Sequence, residues 1–274
     1  IIDGFPMENF NLNTLDPRSI ASIEVLKDAS SIAIYGSRGA NGVIIINTKE
    51  GEAGKPKVTY NYNLSLNTRP KFVEMMDAYD YVKLQLELDA MDNRDFSINR
   101  YLGNVDDVTG ERPRTLDWYK EHPGTDWQNA VTQVGLTHNH SLSVSGGAKN
   151  TKYMVRGGYL NQEALVKNTG QKRFNVQGKL DQKFNKYISA NLSADFSETT
   201  TNTNQAFTRA RSFFPTTGLQ NIEDFIKEME HMLAEGTMND AGVDYGSLIT
   251  PLQQAENELN ERVQKRTQLG LQLR

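Results

Sequence analysis

The sequence predicts an outer-membrane antiparallel β-barrel, represented by six strands and preceded by a small α/β unit. Three observations lead there. Six segments alternate apolar and polar residues with period two. The connections between them are either tight or very long, as in barrels that have short turns on one rim and long loops on the other. The opening 54 residues lack this period and end in the polar, Gly- and Pro-bearing linker "KEGEAGKP".

The opening unit reads as follows. "IIDGF" is a short strand ending in a turn. In "LDPRSIASIEVLKDASS", Asp16 caps a helix with Pro17 at its first position, and Ile23, Val25 and Leu26 then form a second strand. A short helix from Ala29 to Tyr35 follows, and "GVIIINT" is a buried strand.

After the linker, "VTYNYNLSLN" sets Val58, Tyr60, Tyr62, Leu64 and Leu66 against Thr59, Asn61, Asn63 and Ser65. "RFNVQGKLD" separates Phe174, Val176, Gly178 and Leu180 from Arg173, Asn175, Gln177, Lys179 and Asp181. "ISANLSADFS" repeats the pattern, and "SLSVSGG", "KYMVRGGYL" and "TQLGLQLR" follow it less cleanly. "GAKNTK" and "QKFNKY" are tight turns and "EALVKNTGQ" is of medium length. Two connections are very long, about residues 68–136 and 206–266. Within them "DAYDYVKLQLEL" reads as a helix capped by Asp77. "NIEDFIKEMEHML" places Ile222, Phe225, Ile226, Met229, Met232 and Leu233 on one helical face, with Asn221 as cap and Gly236 as stop. Its role is to fold back over the barrel mouth, with docking to a partner as the alternative.

Gly36, Gly39 and Gly42 in "YGSRGANGVI" invite comparison with a phosphate loop. Such loops run from strand through glycines to helix, so that free N–H groups and the helix dipole face the anion. Here a helix enters and a strand leaves, and the spacing matches neither dinucleotide nor Walker motifs. The triplet is a turn. Gly36 stops the helix in a left-handed conformation, Asn41-Gly42 leads into the strand, and Arg38 either pairs with a carboxylate or projects into a cavity.

"IDGFP", "DPRSIASIEVLKDASSIAIYGSRGANGVIIINTK" and "TDWQNAV…HNHSLSVSGG…YMVRGGYLNQEALVKNTGQKRFNVQGKLDQKFNKYISANLSADFS" closely resemble the SusC/RagA family of TonB-dependent outer-membrane transporters. The resemblance covers almost the whole chain and weakens in residues 206–262. It makes Tyr35, Gly36, Ser37, Arg38, Gly39, Ala40, Asn41 and Gly42 the signature of a plug domain. It implies a plug lodged in a barrel of about 22 strands, whose lumen is occluded. Residues 1–54 would be the later part of the plug, and 55–274 the first strands of the barrel with two long extracellular loops. Both ends break off within structure, so the chain reads as a piece of a longer protein.

Composition fits this frame. Thirty Lys and Arg against 34 Asp and Glu give a net charge of −4, which points away from nucleic acid. Cysteine is absent, excluding disulfides and thiolate chemistry while leaving the compartment open. No apolar run approaches the ~20 residues of a spanning helix, but a spanning strand needs only about 10 alternating residues.

Other constellations carry two readings each. His138 and His140 share one strand face, as a metal pair or as polar residues at a strand end. No third ligand is evident, and neither a metal site nor a cofactor is assigned. "DAMDNRD" and "NVDDVTGE" cluster carboxylates without EF-hand spacing, as a calcium site or as solvated loop charges. Trp118, Tyr119 and Trp127 lie in the first long loop, either presenting faces to sugar rings or packing the loop's own core. Arg38, Trp118 and Trp127 are the candidate ligand-facing residues. Tyr60, Tyr153, Tyr159 and Phe174 belong to lipid-facing girdles in a barrel and to the core in a sandwich. No nucleophile–base pair stands out, so no enzyme is assigned.

The resemblance implies TonB-dependent import of a nutrient across the outer membrane, an oligosaccharide first and a peptide second. The implied partners are a SusD-like surface lipoprotein, the TonB complex and outer-membrane lipid. TonB would pair with an extended plug segment by strand addition. The rival reading is a soluble β-sandwich carbohydrate-binding module. The two differ in whether the apolar side of each strand meets lipid or a second sheet.

Overall fold

The computed structural model describes residues 1–7, 12, 15–28, 33–39, 41–217 and 249–273. Its strands are β1 (Ile20–Leu26), β2 (Val43–Thr48), β3 (Gly54–Asn67), β4 (Gly135–Gly147), β5 (Thr151–Glu163), β6 (Gly170–Lys183), β7 (Ser189–Thr203) and β8 (Asn260–Leu273). β1 and β2 pair antiparallel, and β3 to β8 form one six-stranded antiparallel sheet in chain order. The helices are α1 (Ala78–Asp92), α2 (Trp118–Glu121), α3 (Trp127–Ala130), α4 (Ala206–Ala210) and α5 (Pro251–Asn257).

The opening unit departs from expectation in three places. "IIDGF" forms no strand. Ile2 bridges Phe5 and Ile46 around an Asp3–Gly4 turn, with Asp3 at φ 48° and Gly4 at 83°. Asp16 does cap, accepting from the Arg18 N–H at 3.0 Å, but the helix is one 3-10 turn, Pro17–Ser19, and β1 begins at once with Ile20. The β-branched residues Ile20, Ile23 and Val25 favour the extended state there. The signature turn is a 3-10 segment, Ala33–Gly39, and Ala29–Ile32 of the expected helix lie outside the described residues. Gly36 has φ 63° and ψ −150°, a region open to glycine but not the left-handed helical cap that was expected. Gly42, at φ 98°, accepts no side chain readily, since a Cβ would meet the Leu26 carbonyl oxygen at 3.0 Å. Helix-like turn, glycines, strand is the observed order, and β2 buries Ile46 against Ile2 and Leu15.

All six alternating segments are strands of the sheet. They run longer than hydropathy shows, 13 to 15 residues against the about 9–11 that cross a bilayer. β3 starts at Gly54, inside the apparent linker, and holds Pro56 where its register with β4 shifts between Gly54 and Lys57. β8 starts at Asn260, opposite Thr203, so the second long loop is shorter than 206–266. Its opening stretch, "NERVQK", is too charged to register as alternation. The tight turns have local causes: Ala148 and Thr151 exchange backbone hydrogen bonds at 2.7 and 3.3 Å, and Asn185 Oδ1 accepts from the Tyr187 and Ile188 N–H groups, both at 2.8 Å.

The sheet is inverted relative to a soluble protein. Val155 is 53% exposed beside Arg156 at 7%, and Val176 is 39% exposed beside Gln177 at 3%. The polar side of the strands rests on the opening unit, and the apolar side has no second layer among the described residues. A β-sandwich would have buried the apolar side, so that rival reading is corrected: the sheet is an unclosed piece of barrel wall.

The apolar band crosses the sheet diagonally. Its outer edge is Leu66 on β3 and Leu136 on β4, then Tyr159 and Phe174, then Phe196, then Leu269. Beyond it stand Asn161, Lys172, Glu198 and Thr267. Leu66 pairs with Leu136, yet Tyr159 and Phe174 lie on the hydrogen-bonded row of Tyr62, Phe196 on that of Tyr60, and Leu269 on that of Val58. The edge thus falls eight residues, roughly 26 Å, over five strand spacings of about 4.8 Å each. That slope, roughly 45°, is the tilt that spanning strands make with the membrane.

Candidate functional site

The opening unit is held to the wall by charge. Asp3 sits at the tip of its turn. Its carboxylate accepts from the Thr48 N–H and hydroxyl, both at 2.7 Å, and pairs with Lys179 Nζ at 2.9 Å. Lys179 also donates to the Thr48 carbonyl, and Gln177 Nε2 to the Thr48 hydroxyl, each at 3.2 Å. Arg173 donates to the Leu15 carbonyl at 3.2 Å and lies 3.9 Å from the Asp16 carboxylate. Arg18 reaches Asn139 on β4 at 3.4 Å, and Gln272 on β8 reaches the Asp3 carbonyl at 3.3 Å. Lys179 and Arg173 are almost completely buried, so each depends on its carboxylate.

This seat was missed as a site in the sequence, although Arg173, Gln177 and Lys179 formed the polar half of a recognised zigzag. The missing signal was their partner: one aspartate in a five-residue turn has no spacing to mark it. Of the signature residues, Tyr35 is half-buried and Gly36 and Gly42 shape the turn. Ala40 and the side chains of Ser37 and Arg38 lie outside the described residues, as does the helix expected at 222–233.

The long loops pack together above the strands. Trp127 and Val131 from the first meet Ala206 and Ala210 of α4, Ala255 of α5, and Val166 from the β5–β6 connection. A second cluster gathers Ala78, Val82, Tyr101 and Tyr119 around α1, which Asp77 caps by accepting from the Asp80 N–H at 2.9 Å. Tyr119 donates to the Tyr101 carbonyl at 2.7 Å, and burial pushes its phenol above the ordinary range. Between the clusters opens a cleft of about 930 Å³ lined by Phe72, Met75, Tyr81, Asp126, Trp127 and Phe214, among others.

The two tryptophans differ. Trp127 is buried and donates its indole N–H to the Phe214 carbonyl at 3.0 Å, so it packs the loop core and meets the cleft at an edge. Trp118 is half-buried. His122 stacks on it at 3.7 Å, and the Arg114 guanidinium lies 5.5 Å from the ring centroid. Replacing Trp127 with phenylalanine removes the donor to the partly buried Phe214 carbonyl. It is expected to cost about 1–2 kcal/mol of local stability, read as faster amide exchange around residues 206–215 with the barrel unchanged.

The carboxylate clusters serve turns. Asp106 accepts from the Thr109 and Val108 N–H groups at 2.7 and 2.8 Å, which holds its carboxyl below the usual range, and Asp89 accepts from the Ser97 N–H. His138 and His140 stand on the outward face with Tyr60 and Tyr62. Among the described residues, no group of three or more His, Asp or Glu is arranged to hold a metal ion.

Residues 1–43 match the TonB-dependent receptor plug domain family. A TonB-dependent receptor, P3, of Formosa agariphila is 31% identical over 192 residues, which is 70% of this chain and 16% of the relative. The TonB-dependent receptor SusC of Bacteroides thetaiotaomicron is 30% identical over 206 residues, 72% of this chain and 18% of SusC. The chain belongs to the SusC-like TonB-dependent receptors. It spans about a sixth of the length of these relatives. The solved RagAB peptide transporter superposes with a TM-score of 0.60 at 24% identity, over 73% of this chain and 24% of that one, a likeness of fold. The cushion beneath the sheet is thus plug, and the sheet is barrel wall.

Proposed function

We propose that this chain forms the plug exit, residues 1–54, and the first wall, residues 55–274, of an outer-membrane importer of oligosaccharide or peptide. The wall faces lipid on one side, and on the other seats a plug through buried ion pairs. A plug held this way closes the lumen at rest and is removable as a unit. Pull from TonB on the plug must break the Asp3–Lys179 and Asp16–Arg173 contacts before β1 and β2 can leave the wall. Ligand would be captured on the loop side with a SusD-like lipoprotein, where the cleft beside Trp127 lies. Nothing in this arrangement transforms the ligand. The observation that carries the reading is the seating of plug carboxylates on buried wall cations beneath an outward apolar band.

A peptide cargo finds support in the fold likeness to RagAB, described as a peptide importer, and in the occupied faces of Trp118 and Trp127. Beside it stands an oligosaccharide, the first cargo that the sequence resemblance implies. The test is uptake of labelled oligosaccharide and peptide pools by host cells carrying or lacking the full-length gene. Uptake of one pool is expected to vanish with the gene, with TonB, and with a protonophore. Uptake that survives loss of TonB overturns the proposal.

A further inference from the structure

We propose that Tyr60, Tyr62, His138 and His140 form a binding site for an outer-leaflet lipid whose acyl chains carry amide and hydroxyl groups just beneath the headgroup. The inference rests on the membrane reading above. Both histidines lie inside the apolar band. On β4, Leu136 stands above them and Leu142 and Val144 below; on β3, Leu64 and Leu66 are alongside. Along a strand tilted by roughly 45°, two and four residues below Leu136 correspond to depths of about 5 and 9 Å beneath the band's outer edge. Ionisable side chains at that depth are costly unless satisfied, and mark function when retained.

Here they are half satisfied. The Tyr60 hydroxyl lies 2.8 Å from His140 Nδ1, and the Tyr62 hydroxyl 2.9 Å from His138 Nδ1. The imidazoles stack with centroids 6.5 Å apart and planes 10° from parallel, and Tyr62 lies against His140 at 4.7 Å. In the tautomer in which each hydroxyl donates to Nδ1, Nε2 carries an N–H; in the other, Nδ1 donates to the hydroxyl oxygen and Nε2 accepts, and in both Nε2 has no partner among the described residues. Each tyrosine oxygen keeps an acceptor position. Asn161, on the row of His138, adds an outward amide. In either tautomer the patch therefore offers donors and acceptors side by side in an apolar wall. Ester carbonyls, the only polar groups of ordinary acyl chains, can use the donors alone. Amide-linked and 3-hydroxylated chains use both.

The test takes the full-length transporter, extracted in mild detergent, and measures lipid by mass spectrometry and barrel integrity by heat-modifiable gel mobility. The wild type is expected to retain hydroxyacylated lipid. Tyr60→Phe/Tyr62→Phe and His138→Leu/His140→Leu, with unchanged gel mobility, are expected to retain about tenfold less. After lipid removal, purified lipid A should rebind to the wild type, and phosphatidylethanolamine with plain chains should not. Equal lipid in folded variants, equal binding of both lipids, or photocrosslinks from position 62 to protein instead of lipid overturn the inference. A polypeptide absent from the membrane fraction would defeat the membrane reading itself.

Discussion

Asp3→Ala is expected to loosen the plug by about 3–5 kcal/mol, because it takes from the buried Lys179 its directly paired carboxylate. The carboxylate does three things at once. It receives the Thr48 amide and hydroxyl, both at 2.7 Å, which fastens the Asp3–Gly4 turn to the end of β2, and it neutralises Lys179 at 2.9 Å. Without it, Lys179 keeps the Thr48 carbonyl at 3.2 Å and the more distant charge of Asp195, and Thr48 loses both acceptors. In the full-length transporter the expected readout is faster amide exchange over residues 43–48, together with greater entry of bulky antibiotics through the barrel. Asp3→Ala combined with Lys179→Met should be milder than Asp3→Ala alone, since the second change removes the stranded charge and leaves an apolar stem of similar length. Unchanged exchange in Asp3→Ala, or a double variant worse than either single one, would sink the idea that this pair seats the plug.

The same residues show what was legible beforehand. Period-two alternation located every wall strand, because a strand between lipid and a polar interior must alternate whatever else it does. It failed at strand ends. "NERVQK" in β8 and "GKPK" in β3 stand clear of the hydrocarbon, where both faces are polar and nothing alternates. The glycine signature identified the turn but not its geometry, since G-x-x-G-x-x-G does not distinguish a left-handed cap at Gly36 from the more extended ψ of −150°. Asp77 and Asp16 were readable as caps from the residues that follow them. How far the helix ran after Asp16 was not, because β1 gains its hydrogen bonds from β2, 17 to 28 residues onward. The plug seat was illegible for the same reason: Asp3 and Lys179 meet only once a sheet has been built between them. Trp127 illustrates a smaller gap. An aromatic residue in a long loop is marked by sequence, but whether its face is open depends on Phe214 and Ala206 in another loop.

Depth is the property that alternation conceals and register reveals, and it yields the second large effect. Val58, Val144, Val155, Gly178, Ala194 and Leu269 lie on one hydrogen-bonded row, all facing outward. In a flat sheet they would be equivalent. Because the membrane cuts the rows diagonally, Leu269 is at the outer edge, with Thr267 and Lys265 beyond it. Val155 stands four residues below its own edge residue, Tyr159, or about 9 Å into a band about 25 Å tall. Arginine at Val155 is therefore expected to cost about 2–4 kcal/mol, and arginine at Leu269 about 0–1 kcal/mol, from where its long stem can snorkel to the interface. The measurement is the denaturant midpoint of the full-length protein refolded into phospholipid vesicles. Gln177→Leu serves as the inward control: it should leave the midpoint's dependence on bilayer thickness untouched, because that side chain meets Thr48 of the plug at 3.2 Å and never lipid. Equal penalties at Val155 and Leu269 would mean that the row does not cross the bilayer, and the tilt, the lipid site and the barrel wall would fail together. A steep difference between two positions on one row has no source in a water-exposed sheet, where both valine and leucine would lie in the same solvent.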